Sequence, residues 1–83
     1  MGASRNVVIL GSTGSVGVNT LDVITRHKDR FRVVALTAHR QVDLLFEQCI
    51  KFRPQYAVIG SENDAERLSA QLRAADCATE VGC

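Results

Sequence analysis

The 83-residue chain lacks the features that mark nucleic-acid-binding, membrane and disulfide-stabilised proteins. It has no tryptophan, three phenylalanines and one tyrosine, so its core must be mostly aliphatic. Its 10 basic and 9 acidic residues give a net charge of +1, without the basic excess of a nucleic-acid binder. No apolar run is long enough to span a bilayer, and Met1–Asn6 shows no signal-peptide pattern. We therefore expect no nucleic-acid partner and no membrane partner.

Cysteine is also scarce, with three residues and no close pairing. An odd number of unpaired cysteines fits a reduced, cytoplasmic compartment. Cys49 falls on the apolar stripe of a predicted helix, and we expect it to be buried as a small hydrophobic residue. Cys77 and Cys83 lie in a predicted irregular tail.

The apolar residues alternate between the spacing of strands and the spacing of helices. Arg5–Leu10 is a predicted strand whose interior is continuously apolar, typical of a strand buried on both faces of a parallel sheet. Ser15–Arg26 is a predicted helix, with Val16, Thr20 and Ile24 on one face beside Gly17 and Leu21. Further predicted elements are a strand over Phe31–Ala38, a helix from Val42 to about Phe52 and a strand over Tyr56–Ile59.

The rest of the chain continues the alternation. Pro54 ends the second helix, because the residue before a proline is pushed away from helical geometry. Ser61 is a predicted N-cap of a third helix, which Ala65, Leu68, Leu72 and Ala75 would line. Ala78–Gly82 is a candidate fourth strand.

This order predicts an α/β fold, a Rossmann-like doubly wound parallel sheet that is incomplete, βαβαβα with a possible fourth strand. A complete dinucleotide-binding domain has about 100–150 residues. We therefore interpret residues 1–83 as the N-terminal part of such a domain, with catalytic and C-terminal domains outside this chain.

A glycine-rich turn, Gly11–Gly17, joins the first strand to the first helix with the spacing G-x-x-G-x-x-G. This is a variant of the dinucleotide fingerprint, in which backbone N–H groups and the helix N-terminus hold a pyrophosphate. Gly11 would permit the tight turn, Gly14 the approach of a phosphate, and Gly17 the close packing of the helix. Thr13 and Ser15 add hydroxyl donors beside the N–H groups. The turn is expected where the strand order of a doubly wound sheet reverses.

The end of the second strand indicates which dinucleotide binds. NAD-selective folds place an Asp or Glu there for the ribose 2′-hydroxyl, whereas an Arg accommodates the 2′-phosphate of NADP. No carboxylate lies between Arg30 and Gln41, and Arg40 offers a guanidinium that can pair with phosphate. His39 adds a second donor or covers the adenine. We therefore predict NADPH as the cofactor.

The sequence predicts no catalytic residue and no metal ligand in this chain. The acidic side chains are expected on helices far from the strand ends, and no metal-ligand cluster or nucleophile–base pair emerges from the order of elements. The acids concerned are Asp22, Glu47, Glu62, Asp64 and Glu66.

These residues resemble the N-terminal region of the 1-deoxy-D-xylulose 5-phosphate reductoisomerases, over about residues 6–81. The glycine turn is shared with other reductases, whereas the stretch from Thr20 to Val58 is more specific. The segments that carry the resemblance are Gly11–Gly17, Thr20–Val23, Phe31–Leu36, Glu47–Cys49 and Phe52–Val58.

The resemblance implies an NADPH-dependent enzyme of non-mevalonate isoprenoid biosynthesis. Such enzymes convert a sugar phosphate, 1-deoxy-D-xylulose 5-phosphate, to 2-C-methyl-D-erythritol 4-phosphate with a divalent metal, Mg, Mn or Co. It further implies a homodimer of the full-length protein. Its metal ligands and substrate residues would lie beyond residue 83.

Carried over position by position, the resemblance implies two groups of cofactor contacts. Thr13, Gly14, Ser15 and Val16 would lie at the pyrophosphate. The second group, His39, Arg40 and Gln41, would contact the adenosine phosphate. Many family members have Gly where this chain has His39 and Asn where it has Gln41.

Two alternatives remain open at this stage. An NADP-dependent semialdehyde dehydrogenase uses the same glycine spacing, but needs a catalytic cysteine that none of the three here is placed to supply. A non-catalytic nucleotide-binding Rossmann domain would share the fold, since a fold does not fix a function.

Overall fold

A computed structural model describes residues 5–83 as alternating strands and helices. Residues 1–4, part of the segment in which we expect no signal peptide, lie outside the described residues. The elements in chain order are β1 (Arg5–Ile9), α1 (Ser15–Arg26), β2 (Phe31–Ala38), α2 (Val42–Phe52), β3 (Tyr56–Ile59), α3 (Glu62–Ala74) and β4 (Glu80–Gly82).

The four strands form one parallel sheet in the order β1-β2-β3-β4. Right-handed crossovers between neighbouring parallel strands place all three helices on the same face. The fully buried aliphatic side chains lie between that face and the helices, and they are Leu36, Leu45, Ile59, Leu68 and Leu72. Within residues 5–83 the strand order does not reverse, so the reversal predicted beside the glycine-rich turn is not found among the described residues.

The predicted α/β alternation is confirmed, and most element bounds agree with the predictions. β1 ends one residue earlier than expected, and β4 begins at Glu80 rather than Ala78. The Ser61 side chain accepts a hydrogen bond of 3.2 Å from the backbone N–H of Asp64, as expected of an N-cap. α2 ends two residues before Pro54, where Arg53 takes a left-handed conformation.

The expectation that β1 is buried on both faces is wrong for these residues. Val8 is 56% exposed, and Leu10, just after the strand, is 76% exposed. The reason is that β1 is an edge strand here and the helices cover only the face to which Ile9 points. The apolar character of Val8 is therefore not used for packing within residues 5–83.

The predicted face of α1 is confirmed at Gly17, Leu21 and Ile24 and is wrong at Val16 and Thr20. Val16 is 77% exposed and Thr20 is also exposed, whereas Gly17, Leu21 and Ile24 are buried. Because Gly17 has no side chain, the helix approaches the preceding turn along the line of this residue. That approach turns Val16 towards solvent.

The two cysteines within and after the helices are both buried. Cys49 is fully buried, as predicted. Cys77, which we expected in an irregular tail, is only 8% exposed, and its backbone N–H donates to the carbonyl of Leu72. Across residues 5–83, the helices are too short or too polar to cross a bilayer.

Candidate functional site

The glycine-rich turn after β1 and the loop after β2 lie at the same edge of the sheet, the edge of the strand carboxyl ends. Two hydrogen bonds join the turn to the end of β2. The backbone N–H of Ser12 donates to the Thr37 carbonyl at 2.8 Å, and the N–H of Gly11 donates to Thr37 Oγ1 at 3.1 Å. Ligands of parallel α/β sheets bind at this edge.

Gly11 and Gly17 have the backbone roles expected of them. Gly11 has a φ of +64°, in the left-handed region that favours glycine. A Cβ on Gly17 would lie 2.3 Å from the Gly11 carbonyl oxygen and 2.6 Å from Ser12 Cα. Only glycine allows α1 to pack this closely on the turn.

Gly14 has a different environment. It is the N-cap of α1 in an extended conformation, and a Cβ there would make only an ordinary contact of 3.4 Å with the Gly11 carbonyl oxygen. The fold itself therefore does not require glycine at position 14. The space beside it is open on the outer side of the turn, which leaves the backbone accessible to a ligand.

The N-terminus of α1 has no competing partner among the described residues. No side chain caps it, and its first turn contains no acidic residue. The first N–H groups of a helix have no intrahelical acceptor, and with the helix dipole they favour an anion. Thr13 is half-buried, and Ser15 and Val16 are exposed at this end of the helix. The arrangement suits a phosphate.

The sequence did not reveal two buried side chains, those of Ser12 and Gln48, that support the turn from the protein interior. Ser12 is fully buried, and Gln48 on α2 is 7% exposed. Ser12 Oγ donates to Gln48 Oε1 and Gln48 Nε2 donates to the Ser12 carbonyl, both at 2.7 Å. The sequence offered one signal for Gln48: this polar residue follows Leu45 by three positions and therefore falls on the apolar face of the predicted helix.

The loop after β2 carries the residues predicted for the adenosine end. His39, Arg40 and Gln41 are all exposed. Gln41 precedes α2 with a φ of 41°, and its side chain does not cap the helix. The N–H of Gly60 donates to the His39 carbonyl at 3.3 Å, so backbone contacts to the end of β3 support the loop.

An open groove of about 520 Å³ lies beside this loop, between the beginnings of α2 and α3. Its charged lining residues are Arg40, Asp43, Asp64 and Arg67. The expectation that the acids lie far from the strand ends is therefore wrong for Asp64, because α3 begins right after β3. Asp64 pairs with Arg67 at 4.0 Å, whereas neither ion pair found among residues 5–83 involves Arg40.

The buried thiols lie behind the helices rather than at the strand ends. Burial, and secondarily the nearby Cys77, raises the pKa of Cys49 from 9.0 to about 12. Burial also acts to raise the pKa of Cys77, but hydrogen bonds with Thr79 and the charge of Arg53 outweigh it and lower that pKa. A thiol with a pKa near 12 is a poor nucleophile at neutral pH.

Comparison with known proteins gives a consistent result. Residues 7–83 match the family model for 1-deoxy-D-xylulose 5-phosphate reductoisomerase. Curated proteins of that name from Nitrosospira multiformis and Paraburkholderia phymatum are 58% and 54% identical, over 95% and 93% of this chain. The chain spans only 20% and 19% of their lengths, about one fifth.

Solved structures agree with these sequence matches. The reductoisomerase from Zymomonas mobilis in complex with NADPH superposes with a TM-score of 0.89 and 38% identity, over 96% of this chain and 21% of that one. A reductoisomerase structure with NADPH, fosmidomycin and magnesium has a TM-score of 0.89 and 32% identity, over 95% and 19%.

Proposed function

This chain belongs to the 1-deoxy-D-xylulose 5-phosphate reductoisomerase family, and we propose that it is the N-terminal part of the NADPH-binding domain of such an enzyme. The full-length protein would convert 1-deoxy-D-xylulose 5-phosphate to 2-C-methyl-D-erythritol 4-phosphate in isoprenoid biosynthesis. Residues 1–83 would supply cofactor binding alone and would be inactive without the catalytic and C-terminal domains. The family match favours this reaction over that of a semialdehyde dehydrogenase and over a non-catalytic domain.

The observation that carries the proposal is the uncapped N-terminus of α1 beside an accessible Gly14. The related structure with the same fold over 96% of this chain contains NADPH. The backbone N–H groups of Ser15 and Val16, with the hydroxyl groups of Thr13 and Ser15, would hold the pyrophosphate, and Gly14, whose own N–H donates to the Gly11 carbonyl, would let it approach the backbone. NADPH supplies a hydride when it is bound.

The loop His39–Gln41 would hold the adenosine end. Arg40 is exposed and outside the ion pairs of residues 5–83, so its guanidinium is available for a 2′-phosphate. His39 and Gln41 flank it on the same exposed loop. The nearby Asp64 is engaged with Arg67, which limits its repulsion of the phosphate.

A divalent metal does not fit the part of the chain that the structure describes. No group of three or more His, Cys, Asp or Glu side chains there is arranged to hold a metal ion. We propose that the ligands of a magnesium, manganese or cobalt ion lie in the remainder of the enzyme. A homodimeric full-length protein and a cytoplasmic location complete the proposal.

The test is the affinity of the full-length enzyme for NADPH and NADH, measured by calorimetry. In Arg40→Ala we expect the binding free energy for NADPH to weaken by about 1–3 kcal/mol, the range for losing a hydrogen bond to a charged group. NADH lacks the 2′-phosphate, so its affinity should stay nearly the same. Arg73→Ala is the matched control, since Arg73 is an exposed arginine in the last turn of α3.

Equal losses for the two cofactors would overturn the assignment of Arg40. A wild-type enzyme that binds NADPH but fails to convert 1-deoxy-D-xylulose 5-phosphate would overturn the proposed reaction and leave the cofactor site intact. A catalytic cysteine in the remainder of the protein would then favour the semialdehyde dehydrogenase.

A further inference from the structure

The glycine-rich turn is joined to α2 by a reciprocal pair of hydrogen bonds in the interior. Ser12 Oγ donates to Gln48 Oε1, and Gln48 Nε2 donates to the Ser12 carbonyl, each at 2.7 Å. Ser12 is fully buried and Gln48 is 7% exposed. Buried hydrogen bonds are costly to leave half-made, so this pair constrains the position of the turn.

Ser12 is fixed by a third bond to a different element. Its backbone N–H donates to the Thr37 carbonyl of β2 at 2.8 Å. The N–H, the carbonyl and the hydroxyl of Ser12 are thus all bonded, one group to the sheet and two to α2. Two residues later the chain reaches Gly14, where the proposed phosphate contacts begin. A shift of Ser12 would therefore displace Gly14 and the N–H groups of Ser15 and Val16 that follow it.

The chemistry of this pair requires a side-chain amide. A glutamine presents one acceptor and one donor, which match the hydroxyl donor and the carbonyl acceptor of Ser12. An ionised carboxylate would accept from the hydroxyl but would repel the carbonyl. A thioether of similar length, as in methionine, would fill the space and make neither bond with comparable strength.

We propose that Gln48 is a positioning residue for NADPH, which sets cofactor affinity through Ser12 without touching the cofactor. The inference rests on the proposed function, because it concerns the same phosphate site. It assigns to α2 a role in cofactor binding beyond packing. It also explains why a polar residue occupies the interior face of an apolar helix.

The first test measures NADPH affinity in full-length Gln48→Met, Ser12→Ala and the double variant. We expect the Kd for NADPH to rise about tenfold in Gln48→Met, which loses a buried hydrogen-bonded partner, and by a smaller factor in Ser12→Ala, which loses one of the two bonds. The double variant should bind NADPH about as weakly as Gln48→Met, because Gln48→Met already removes both bonds and Ser12→Ala removes only the hydroxyl bond. The kcat at saturating NADPH should stay near that of the wild type. Gln55→Met is the control at an exposed glutamine.

The second test uses Gln48→Glu, which can restore the pair reversibly. A protonated carboxyl has one donor and one acceptor, so it can make both bonds to Ser12, whereas the carboxylate cannot. Burial should raise the pKa of this glutamic acid. Asp22 on α1 and Glu47 and Lys51 on α2 line the adjoining groove and would act on the same proton. The affinity of Gln48→Glu for NADPH, relative to wild type at each pH, should therefore recover as the pH falls.

The outcomes are distinct. A folded Gln48→Met variant that binds NADPH like the wild type overturns the inference, as does a Gln48→Glu variant whose relative affinity is independent of pH. If Gln48→Met fails to fold, the pH series of Gln48→Glu decides alone. A wild-type enzyme without affinity for NADPH contradicts the proposed function instead, before any variant is compared.

Discussion

The glycine-rich turn and the loop His39–Gln41 lie at the same edge of the sheet, but they are held in opposite ways. The turn is supported from the interior by Ser12, Gln48 and Thr37. The loop has three exposed side chains, and its support comes from a backbone contact between Gly60 and His39. Under the proposed function, this difference would separate two tasks, binding of the pyrophosphate that all dinucleotides share at the turn and selection among dinucleotides at the exposed loop.

The largest effect that tests this comparison is expected at Gly17. In Gly17→Ala, the new Cβ would lie within 3 Å of three backbone atoms of Gly11 and Ser12. Backbone cannot move aside as a side chain can, so we expect a loss of about 3 kcal/mol in the free energy of unfolding. Urea denaturation of the full-length protein measures it. Wild-type stability in this variant would show that the turn is far more compliant than its contacts indicate.

Gly14→Ala should separate stability from binding. Its Cβ makes only an ordinary contact with Gly11, so the free energy of unfolding should change little. The methyl group would stand where a phosphate approaches, and we expect NADPH binding to weaken by about 2 kcal/mol, the value of one hydrogen bond to a charged group. Calorimetry and urea denaturation on the same sample provide both values. A variant that loses stability but retains affinity would reverse the roles assigned to Gly14 and Gly17.

Gln41→Gly addresses the loop. Gln41 has a φ of 41°, and its side chain makes no capping hydrogen bond with α2. The strain of its left-handed conformation is therefore not offset by a capping interaction. Glycine should relieve about 1 kcal/mol of that cost and raise the melting temperature. NADPH affinity reports whether the Gln41 side chain also contacts the cofactor. A lower melting temperature would mean that the side chain stabilises the loop in some other way.

A pH-dependent effect is expected at Cys49, which follows Gln48 on α2. Its pKa is raised from 9.0 to about 12 in the folded protein, so its thiol contributes stability that is complete below pH 9 and is lost as the pH rises from about 9 towards 12. The difference in unfolding free energy between wild type and Cys49→Ala should therefore shrink over that range. A constant difference would contradict the effect of burial on the pKa of this thiol.

Most of the fold follows from local patterns in the sequence. Pro54 and the Ser61 cap mark ends that the structure confirms, and the α2 stripe correctly buries Leu45 and Cys49. The exposure of Val16 and Thr20 on α1, which the sequence pattern placed with the buried residues, has a tertiary cause. Periodicity alone cannot reveal that Gly17 packs against the backbone of a turn, which rotates Val16 to the surface.

The site was predictable only where it depends on backbone. The glycine spacing indicates Gly11 and Gly17 because their conformational and steric requirements are local. Ser12 and Gln48 are 36 residues apart, and no local pattern joins a buried serine to a buried glutamine. The expected burial of Val8 was wrong for another reason, since its apolar character does not reveal that nothing within residues 5–83 covers its face of β1.

The bond between Ser12 and Gln48 also has a consequence for the order of folding. Contacts far apart in sequence form only after the loop between them has closed, and here that loop contains α1 and β2. The glycine segment can nucleate early as a flexible bend, but it acquires its final shape only when α2 docks. We therefore expect the proposed phosphate site to form late in folding, after α2 docks.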